Sequence, residues 1–323
     1  MPATPVDLAR HLLVPFAAAG APECQALLDR LTLPNLQALL QRLAEQPADR
    51  GDDHSLSPPH ERALARVAGL PVVDGAIPWA AARSDAPTQP QAWFSLCHYQ
   101  VATGQVTLLP GDQLALDDAD SRALFDVFAP LCNEDGIRLQ WDSATEWRAC
   151  GEPLRDLACA SLDRVSGRNV SDWMARAPAN PVNARLLQRL QSEAQMLFYS
   201  HPVHDTRVAR GQLPVNGFWL HGAGALAAAP DHHPATTVPD TLRQAALRAD
   251  WAAWQAAWQA LDAGEVGALL AAARRGEPVT LTLCGERHAR TWTTAPASAF
   301  ARLGRSIKQL FGTEPIADTL KDL

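Results

Sequence analysis

The feature that most constrains the fold is an ordered series of β-type and α-type segments between residues 92 and 150. Two β-rich stretches are joined by Thr103-Gly104, which is a hairpin signal. Asp117 is a suitable N-cap for an apolar helix that ends near Gly136, and two more β-type stretches follow. The four stretches are AWFSLCHYQV, QVTLL, IRLQW and EWRAC. This order predicts a compact α/β module over roughly residues 90–155.

The segment before this module carries the patterns of short helices. Leucines at i, i+3, i+4 and i+7 follow Pro34, which suits the first turn of a helix. An apolar patch near the N-terminus is interrupted by charged residues such as Arg10 at helical spacing, and no basic region precedes it. We therefore expect an amphipathic first helix there rather than a signal peptide.

The C-terminal half combines long helices with apolar strands. Residues 181–199 predict a helix whose leucine face packs against a sheet that includes residues 213–221. A second helix places Trp251, Trp254 and Trp258 on one stripe, which favours a buried core face over a ligand cage. Residues 278–284 alternate like a strand, RHARTWTT is expected to pair with it, and a closing helix is predicted over residues 299–311.

These segments predict an α/β protein with a mixed sheet flanked by helices. The predicted divisions are a helical N-terminal segment (1–70), a small α/β module (71–160) and an α/β domain with the tryptophan-rich helix and a C-terminal hairpin (161–323). A chain of 323 residues is long enough for about two domains.

Charge and cysteine content exclude several classes of protein. The chain has 35 acidic and 28 basic side chains and a formal net charge of −7, which argues against binding along a nucleic-acid backbone. No run of apolar residues is long enough for a membrane span. The six cysteines form no CxxC pair, which is typical of thiols in a reducing compartment. The expected location is therefore the cytoplasm, with no nucleic-acid or membrane partner.

Arginines and polar groups supply the candidate ligand site. Arg164 and Arg168, and later Arg207, lie beside glycines, and arginine binds phosphate or carboxylate groups in two-pronged fashion. Surface ion pairs in an arginine-rich chain are the alternative explanation. His201, Asp205, Arg207 and Asn216 flank a glycine-containing turn between a helix and an apolar strand. They predict either an anion site or a buried polar network that holds a crossover of the chain. In the anion site we expect Asp205 to orient Arg207 rather than to act as a base.

Two further patterns match known cofactor sites only in part. Histidines and carboxylates between His201 and His233 are metal-ligand types, but their spacing is poor, and histidines near a helix end often interact with its carbonyls. The run GAGALA at 222–227 matches a dinucleotide fingerprint, yet Pro230 follows where a helix should begin. We expect neither a metal nor a nucleotide cofactor.

The runs RLQSEAQMLFYSHPVHDTRVARGQLPVNGFWLHGAG, SLDRVSGRNVSDW, DWAAWQAAWQALD and LTLCGER resemble a proteobacterial family of phosphoglycerate-mutase-like proteins, also called regulator-of-pathogenicity-factors E-type. The segment from His201 to Gly224 is more distantly similar to archaeal-type cofactor-independent phosphoglycerate mutases. Those enzymes belong to the alkaline-phosphatase-like superfamily, and the resemblance implies an α/β scaffold with a smaller inserted α/β module.

The resemblance implies that the chain has the scaffold of these mutases, but the chain lacks their catalytic motifs. Such mutases use two divalent metals and a nucleophilic serine, whereas this chain has no DG-type start and no HSxDPVP-like or TADHG-like run. The matched positions include His201, Arg207 and Asn216, together with Gly211, Trp219, Gly222 and Gly224. His204 and His221 stand where the nearer family carries Asn and Ser.

The resulting hypothesis is a non-catalytic protein that binds a small phosphorylated or carboxylate metabolite or a regulatory protein partner. Its expected ligand residues are His201, Asp205, Arg207, Asn216, Arg164 and Arg168, with no metal site and no assigned catalytic residue. The alternative is a metal-dependent phosphotransferase or mutase that uses His201, Asp205 and the His232/His233 region. A third hypothesis is an interaction module without a small ligand.

Overall fold

The structure is a computed structural model that describes residues 10–174, 181–229, 236–294 and 315–323. Its strands are β1 Arg10–Val14, β2 Ala44–Glu45, β3 Asp49–Arg50, β4 Gln91–Ala102, β5 Gln105–Pro110, β6 Arg138–Trp141, β7 Glu146–Cys150, β8 Gly217–Gly224, β9 Thr236–Thr237, β10 Val279–Cys284 and β11 His288–Thr293. Its α-helices are α1 Pro22–Leu28, α2 Pro34–Leu40, α3 Pro59–Val67, α4 Trp79–Ala82, α5 Asp118–Glu134, α6 Leu162–Val165, α7 Ser171–Met174, α8 Pro181–Ser200, α9 Pro202–Ala209, α10 Thr241–Leu247, α11 Trp251–Leu261, α12 Gly267–Arg274 and α13 Ile316–Lys321. The predicted mixed α/β class is confirmed.

The chain forms two compact units that are discontinuous in sequence. Unit 1 contains the described residues of Met1–His54, Pro58–Val67 and His232–Leu323, and unit 2 contains Ser55–Ser57 and the described residues of Ala68–Asp231. Unit 2 is thus an α/β insertion between the parts of unit 1, whereas the sequence predicted three consecutive segments with boundaries at 70 and 160.

Unit 1 is built on a mixed sheet with the order β2-β11-β10-β1-β9, and β3 also pairs with β11. Strand β1 is parallel to both β10 and β9, and β10 and β11 form an antiparallel hairpin. One face of the sheet packs on α11, where Trp254 and Trp258 are fully buried and Trp251 is partly buried. The predicted tryptophan core face and the strand over 278–284 are therefore confirmed.

The N-terminal helix expectation is wrong at its first element, because Arg10–Val14 is a strand. Leu12 and Val14 face the main core of unit 1, while Leu13 packs on the opposite face against α3. Because β1 has a neighbouring strand on each side, burial of both of its faces is favourable. Pairing within the folded sheet therefore overrides the helical spacing of its residues. The predicted helix that follows Pro34 is present as α2.

Unit 2 contains an antiparallel sheet with the order β5-β4-β7-β6, and β8 pairs with the other side of β4. The predicted order of strand pair, helix and strand pair is confirmed. Helices α5 and α8 cover one face, where Phe94 stacks on Phe218 at 4.3 Å between ring centres. Leu190 of α8 is fully buried in this core, as its predicted face requires.

No helix in the described part of the chain is long and apolar enough to cross a membrane. The closing helix predicted over 299–311 lies outside the described residues.

Candidate functional site

Arg207 is the centre of a buried polar network in unit 2. Its side chain is fully buried, and Nη1 donates to Asp120 Oδ2 at 3.1 Å. Nε donates to the carbonyl oxygen of Leu213 at 3.0 Å, and Nη2 donates to the carbonyl oxygen of Leu114. Every guanidinium nitrogen therefore has a partner within the chain, and the network joins α9 to α5 and to the loops before α5 and β8.

The expectation that Asp205 orients Arg207 is wrong, because Asp205 is exposed and Asp120 is the carboxylate that pairs with the guanidinium. Asp120 lies in the first turn of α5, 87 residues before Arg207 in the sequence. A buried guanidinium needs a carboxylate that is also sheltered from water, and the exposed Asp205 does not meet that need.

The other predicted ligand residues have separate local roles. His201 is the N-cap of α9, and its Nδ1 accepts a hydrogen bond from the backbone N–H of Val203 at 3.2 Å. Asn216 pairs with Tyr99, accepting from its N–H at 2.7 Å and donating to its carbonyl at 3.0 Å. Among the described residues, no hydrogen bond or ion pair joins any two of His201, Asp205, Arg207 and Asn216.

The remaining predicted positions are dispersed along unit 2. Arg164 is buried in the short helix α6, and Arg168 is half-buried in the loop that follows, where its carbonyl accepts from Leu108 N–H at 3.3 Å. His232 and His233 lie outside the described residues.

The glycines of GAGALA serve close packing in β8. Gly222 has φ +64°, and a Cβ there would lie 2.9 Å from the ring of Trp93. Gly224 has φ +135°, and its Cβ would lie 3.0 Å from Pro78. Both glycines belong to β8 itself, and residues 225–229 form no helix. The arrangement that holds a pyrophosphate at a helix N-terminus is therefore not formed in this segment.

A second polar cluster in unit 2 contains Ser95, Glu146 and His221, which lie on adjacent strands β4, β7 and β8. Ser95 Oγ is 2.8 Å from His221 Nε2 and donates to Glu146 Oε2 at 3.2 Å. The same ring nitrogen, Nε2, is 3.7 Å from Glu146 Oε2. Burial alone would raise the pKa of Glu146, but His221, Ser95 and Arg83 outweigh it and hold that pKa below its ordinary value.

This geometry differs from that of a Ser-His-acid triad, in which the acid binds the ring nitrogen remote from the serine. Here the carboxylate and the hydroxyl face the same nitrogen, and the serine proton goes to the carboxylate. The cluster is therefore a hydrogen-bonded network across three strands rather than an activated nucleophile.

Unit 1 contains an open groove of about 660 Å³ on the sheet face opposite to the tryptophan core. Its floor is formed by side chains of three adjacent strands, His11 of β1, Thr280 and Thr282 of β10, and Thr291 of β11. Helix α3 covers the other half of this face, over Leu13, Cys284 and Ala289. We call the half that α3 and the other described elements leave open the threonine groove; its other lining residues are Gln46, Pro47, Ala48, Asp49, Ala63, Arg66, Val67 and Ala289.

A chain of hydrogen bonds crosses the floor of the threonine groove. Thr282 Oγ1 lies 3.0 Å from Thr291 Oγ1 and 2.9 Å from His11 Nε2. Burial lowers the pKa of His11, so its imidazole is neutral at pH 7. Thr280 Oγ1 makes no hydrogen bond with other described residues. The floor thus combines hydroxyl groups and a neutral imidazole, all of which can both donate and accept.

Two arginines share one carboxylate at the edge of the threonine groove. Arg62 Nε donates to Asp49 Oδ2 at 3.0 Å, and Arg66 Nη1 donates to the same oxygen at 2.7 Å. Burial would raise the pKa of Asp49, but the hydrogen bonds and charges of Arg66 and Arg62 hold it below its ordinary value. The three side chains therefore carry one net positive charge, and the half-exposed Arg66 presents it to the groove.

The carboxyl ends of β1 and β10 are closed by the protein itself. After β1, Ala17 N–H donates to the carbonyl of Cys284 at 2.8 Å. The indole N–H groups of Trp254 and Trp258 donate to the carbonyls of Phe16 and Ala17 at 2.9 and 3.1 Å. After β10, the carbonyl of Leu323 accepts from the N–H groups of Arg287 and His288 at 3.1 and 2.7 Å. Phe16, Ala17 and Leu323 are all buried.

The buried thiols of the chain are protonated at neutral pH. Burial raises the pKa of Cys24 to about 11 and that of Cys132 to about 12. It also raises the pKa of Cys97 and Cys284. Because the thiolate is the nucleophile, these four cysteines are unreactive in the folded protein.

The sequence reasoning missed both the Ser95 cluster and the threonine groove. A signal for the groove was present in β10, where VTLTLC alternates threonines with large apolar residues. That alternation places the hydroxyls together on one face. The contributions of His11 and Asp49 depend on strand pairing over more than 230 residues and have no local signature.

No protein-family model matches the chain, and no curated protein matches it. Solved structures that are similar to it over most of their lengths include the following two. The cofactor-independent phosphoglycerate mutase from Thermoplasma acidophilum DSM 1728 is 13% identical, with 90% of each chain covered and a TM-score of 0.37. The PH0037 protein from Pyrococcus horikoshii is 10% identical, with 91% of this chain and 89% of that chain covered and a TM-score of 0.44.

Proposed function

We propose that the chain is a phosphoglycerate-mutase-like protein of the regulator-of-pathogenicity-factors E-type that binds a small anionic metabolite and does not turn it over. The family assignment rests on the sequence resemblance around His201, Arg207 and Asn216. The alkaline-phosphatase-like scaffold is part of the same proposal. The mixed sheet with parallel β1 and β10 and the inserted α/β unit support it.

The observation that carries the non-catalytic part is the closed carboxyl edge of β1 and β10. Ligands of open α/β sheets bind beyond the carboxyl ends of the parallel strands, where the loops present polar groups. In this protein the corresponding positions are the buried Phe16 and Ala17, and their carbonyls are satisfied by Trp254 and Trp258. Groups that would otherwise face a substrate thus hold the core of unit 1 together.

The geometry favours a binding role in which one set of residues stabilises the fold and a different set binds the ligand. Arg207 and Asn216, which the resemblance matches, are committed to partners within unit 2. Arg66 keeps a partly exposed guanidinium and excess positive charge. A cytoplasmic location belongs to the proposal and is supported by six cysteines that form no disulfide.

Binding is tested by thermal unfolding in the presence of a panel of small phosphorylated and carboxylate compounds. An anion at one hundred times its Kd stabilises the folded state by about 2.7 kcal/mol. For domains of this size that corresponds to a rise in Tm of roughly 5–10 °C. A compound of equal ionic strength without affinity, such as chloride, is the control. An unchanged Tm with every anion at millimolar concentration would remove the metabolite-binding function and leave an interaction module.

A further inference from the structure

We infer that the threonine groove of unit 1 binds a small polyhydroxylated acid, with its acidic group at Arg66 and its hydroxyl groups on the floor. This inference rests on the proposed binding of a small anion and adds the place of binding and the chemical class of the ligand. The groove volume of about 660 Å³ lies within the range of small-molecule sites, roughly 300–1,000 Å³.

The floor of the groove is arranged for hydroxyl recognition. Thr280 and Thr291 present partly exposed hydroxyls on a surface made by adjacent strands, with His11 beside them and the buried Thr282 linking Thr291 to His11. A hydroxyl donates one hydrogen bond and accepts two, and the internal chain from Thr291 to His11 leaves part of this capacity unused. Within the described part of the chain Thr280 Oγ1 has no hydrogen-bond partner, so its hydroxyl is available to a ligand. Vicinal hydroxyl groups match such a surface because they also donate and accept.

The positive charge at the edge of the groove favours a ligand with an acidic group. Arg62 and Arg66 share Asp49 and together carry one more positive charge than it neutralises, and Arg66, the more exposed of the two, presents that charge to a ligand. A guanidinium binds a carboxylate or phosphate through two parallel hydrogen bonds. The neutral His11 adds no second positive charge, which favours a singly charged acidic group over a multiply charged one.

The test uses isothermal titration calorimetry of the whole chain with D-gluconate as the probe. Sorbitol has the same carbon skeleton with a hydroxymethyl in place of the carboxylate, and propionate has the carboxylate without hydroxyls. We expect gluconate to bind at least tenfold more tightly than either compound. Inorganic phosphate, tested alongside, distinguishes a simple anion site from one that also reads hydroxyl groups.

Three variants locate the site. Arg66→Gln should weaken gluconate at least tenfold, and Thr280→Val should weaken it about threefold to tenfold while leaving Tm close to that of the parent protein. Arg42→Gln is the matched control, because Arg42 lines a separate cavity of about 550 Å³ in unit 1 with Arg274. This variant should bind gluconate as the parent protein does.

Several results would overturn the inference. If gluconate does not bind but another anion of the panel does, or if Arg66→Gln and Thr280→Val bind gluconate normally, the groove is not the site and the proposed function still stands. A loss of binding with Arg42→Gln alone would move the site to the second cavity. If no anion binds at all, both the inference and the proposed function fail.

Discussion

Replacement of Arg207 by alanine separates a structural network from a ligand site. The change removes a fully buried guanidinium and leaves the Asp120 carboxylate, whose side chain is only 11% exposed, without its cation. It also removes the donors to the carbonyls of Leu114 and Leu213. Breaking a buried ion pair by deleting one partner typically costs about 3–5 kcal/mol, because an uncompensated charge stays buried.

The assay is urea unfolding followed by tryptophan fluorescence, with thermal unfolding in parallel. A loss of about 3–5 kcal/mol corresponds to a fall in Tm of roughly 6–20 °C for a unit of this size. Arg210→Ala is the matched control, since Arg210 lies 4.0 Å from Asp120 and its side chain is more than half exposed. That variant should change the free energy of unfolding by less than about 0.5 kcal/mol.

A double variant tests whether the cost comes from the stranded carboxylate. Arg207→Met combined with Asp120→Leu removes both charges and should recover part of the stability that Arg207→Ala loses. The reasoning is refuted if Arg207→Ala unfolds like the parent protein while it loses stabilisation by anions. In that case the guanidinium would serve a ligand and not the fold.

The remaining predictions concern the two cores and one ion pair. Leu190→Ala should cost about 2–5 kcal/mol in urea unfolding because it empties a fully buried site, whereas Met196→Ala on the exposed face of the same helix should be near neutral. Trp254→Phe leaves the carbonyl of Phe16 without its donor and should lower the free energy of unfolding by about 1–3 kcal/mol. Trp251→Phe is the control, and an equal loss of stability in the two variants would argue against the indole hydrogen bond. The depressed pKa of Asp49 stabilises the fold above its ordinary value of 3.8, and this contribution is lost as the pH falls through the lower folded pKa. The stability difference between the parent protein and Asp49→Asn should therefore shrink as the pH is lowered below about 4, and a constant difference down to pH 2 would contradict the ion pairing.

Sequence patterns predicted those elements whose stability is largely local. The helix over 181–199 and the tryptophan stripe carry long apolar periodicities, and both are formed with the predicted faces buried. Strand β1 was missed because five residues are too few to show a period, and its pairing with β10 joins residues almost 270 positions apart. Such pairing is decided by burial within the whole sheet and not by local propensity.

The candidate site was harder to predict than the fold for the same reason. Arg207 was predicted either to bind an anion or to belong to a buried network, but its partner Asp120 is distant in the sequence, so the nearer Asp205 was selected. His201 carries a hydrogen-bonding role that any N-cap residue can fill. The threonine groove depends on strands from three separate parts of the chain, and only the alternation in β10 is visible locally.

The central claim, binding without turnover, is tested most directly by ³¹P NMR of 3-phosphoglycerate incubated with the purified protein and manganese. The account predicts that the 3-phosphoglycerate resonance persists without formation of 2-phosphoglycerate or inorganic phosphate, at 3-phosphoglycerate concentrations that saturate the anion site. A resonance of either product that grows with time, and stops growing when a metal chelator is added, would contradict the account and establish a metal-dependent enzyme.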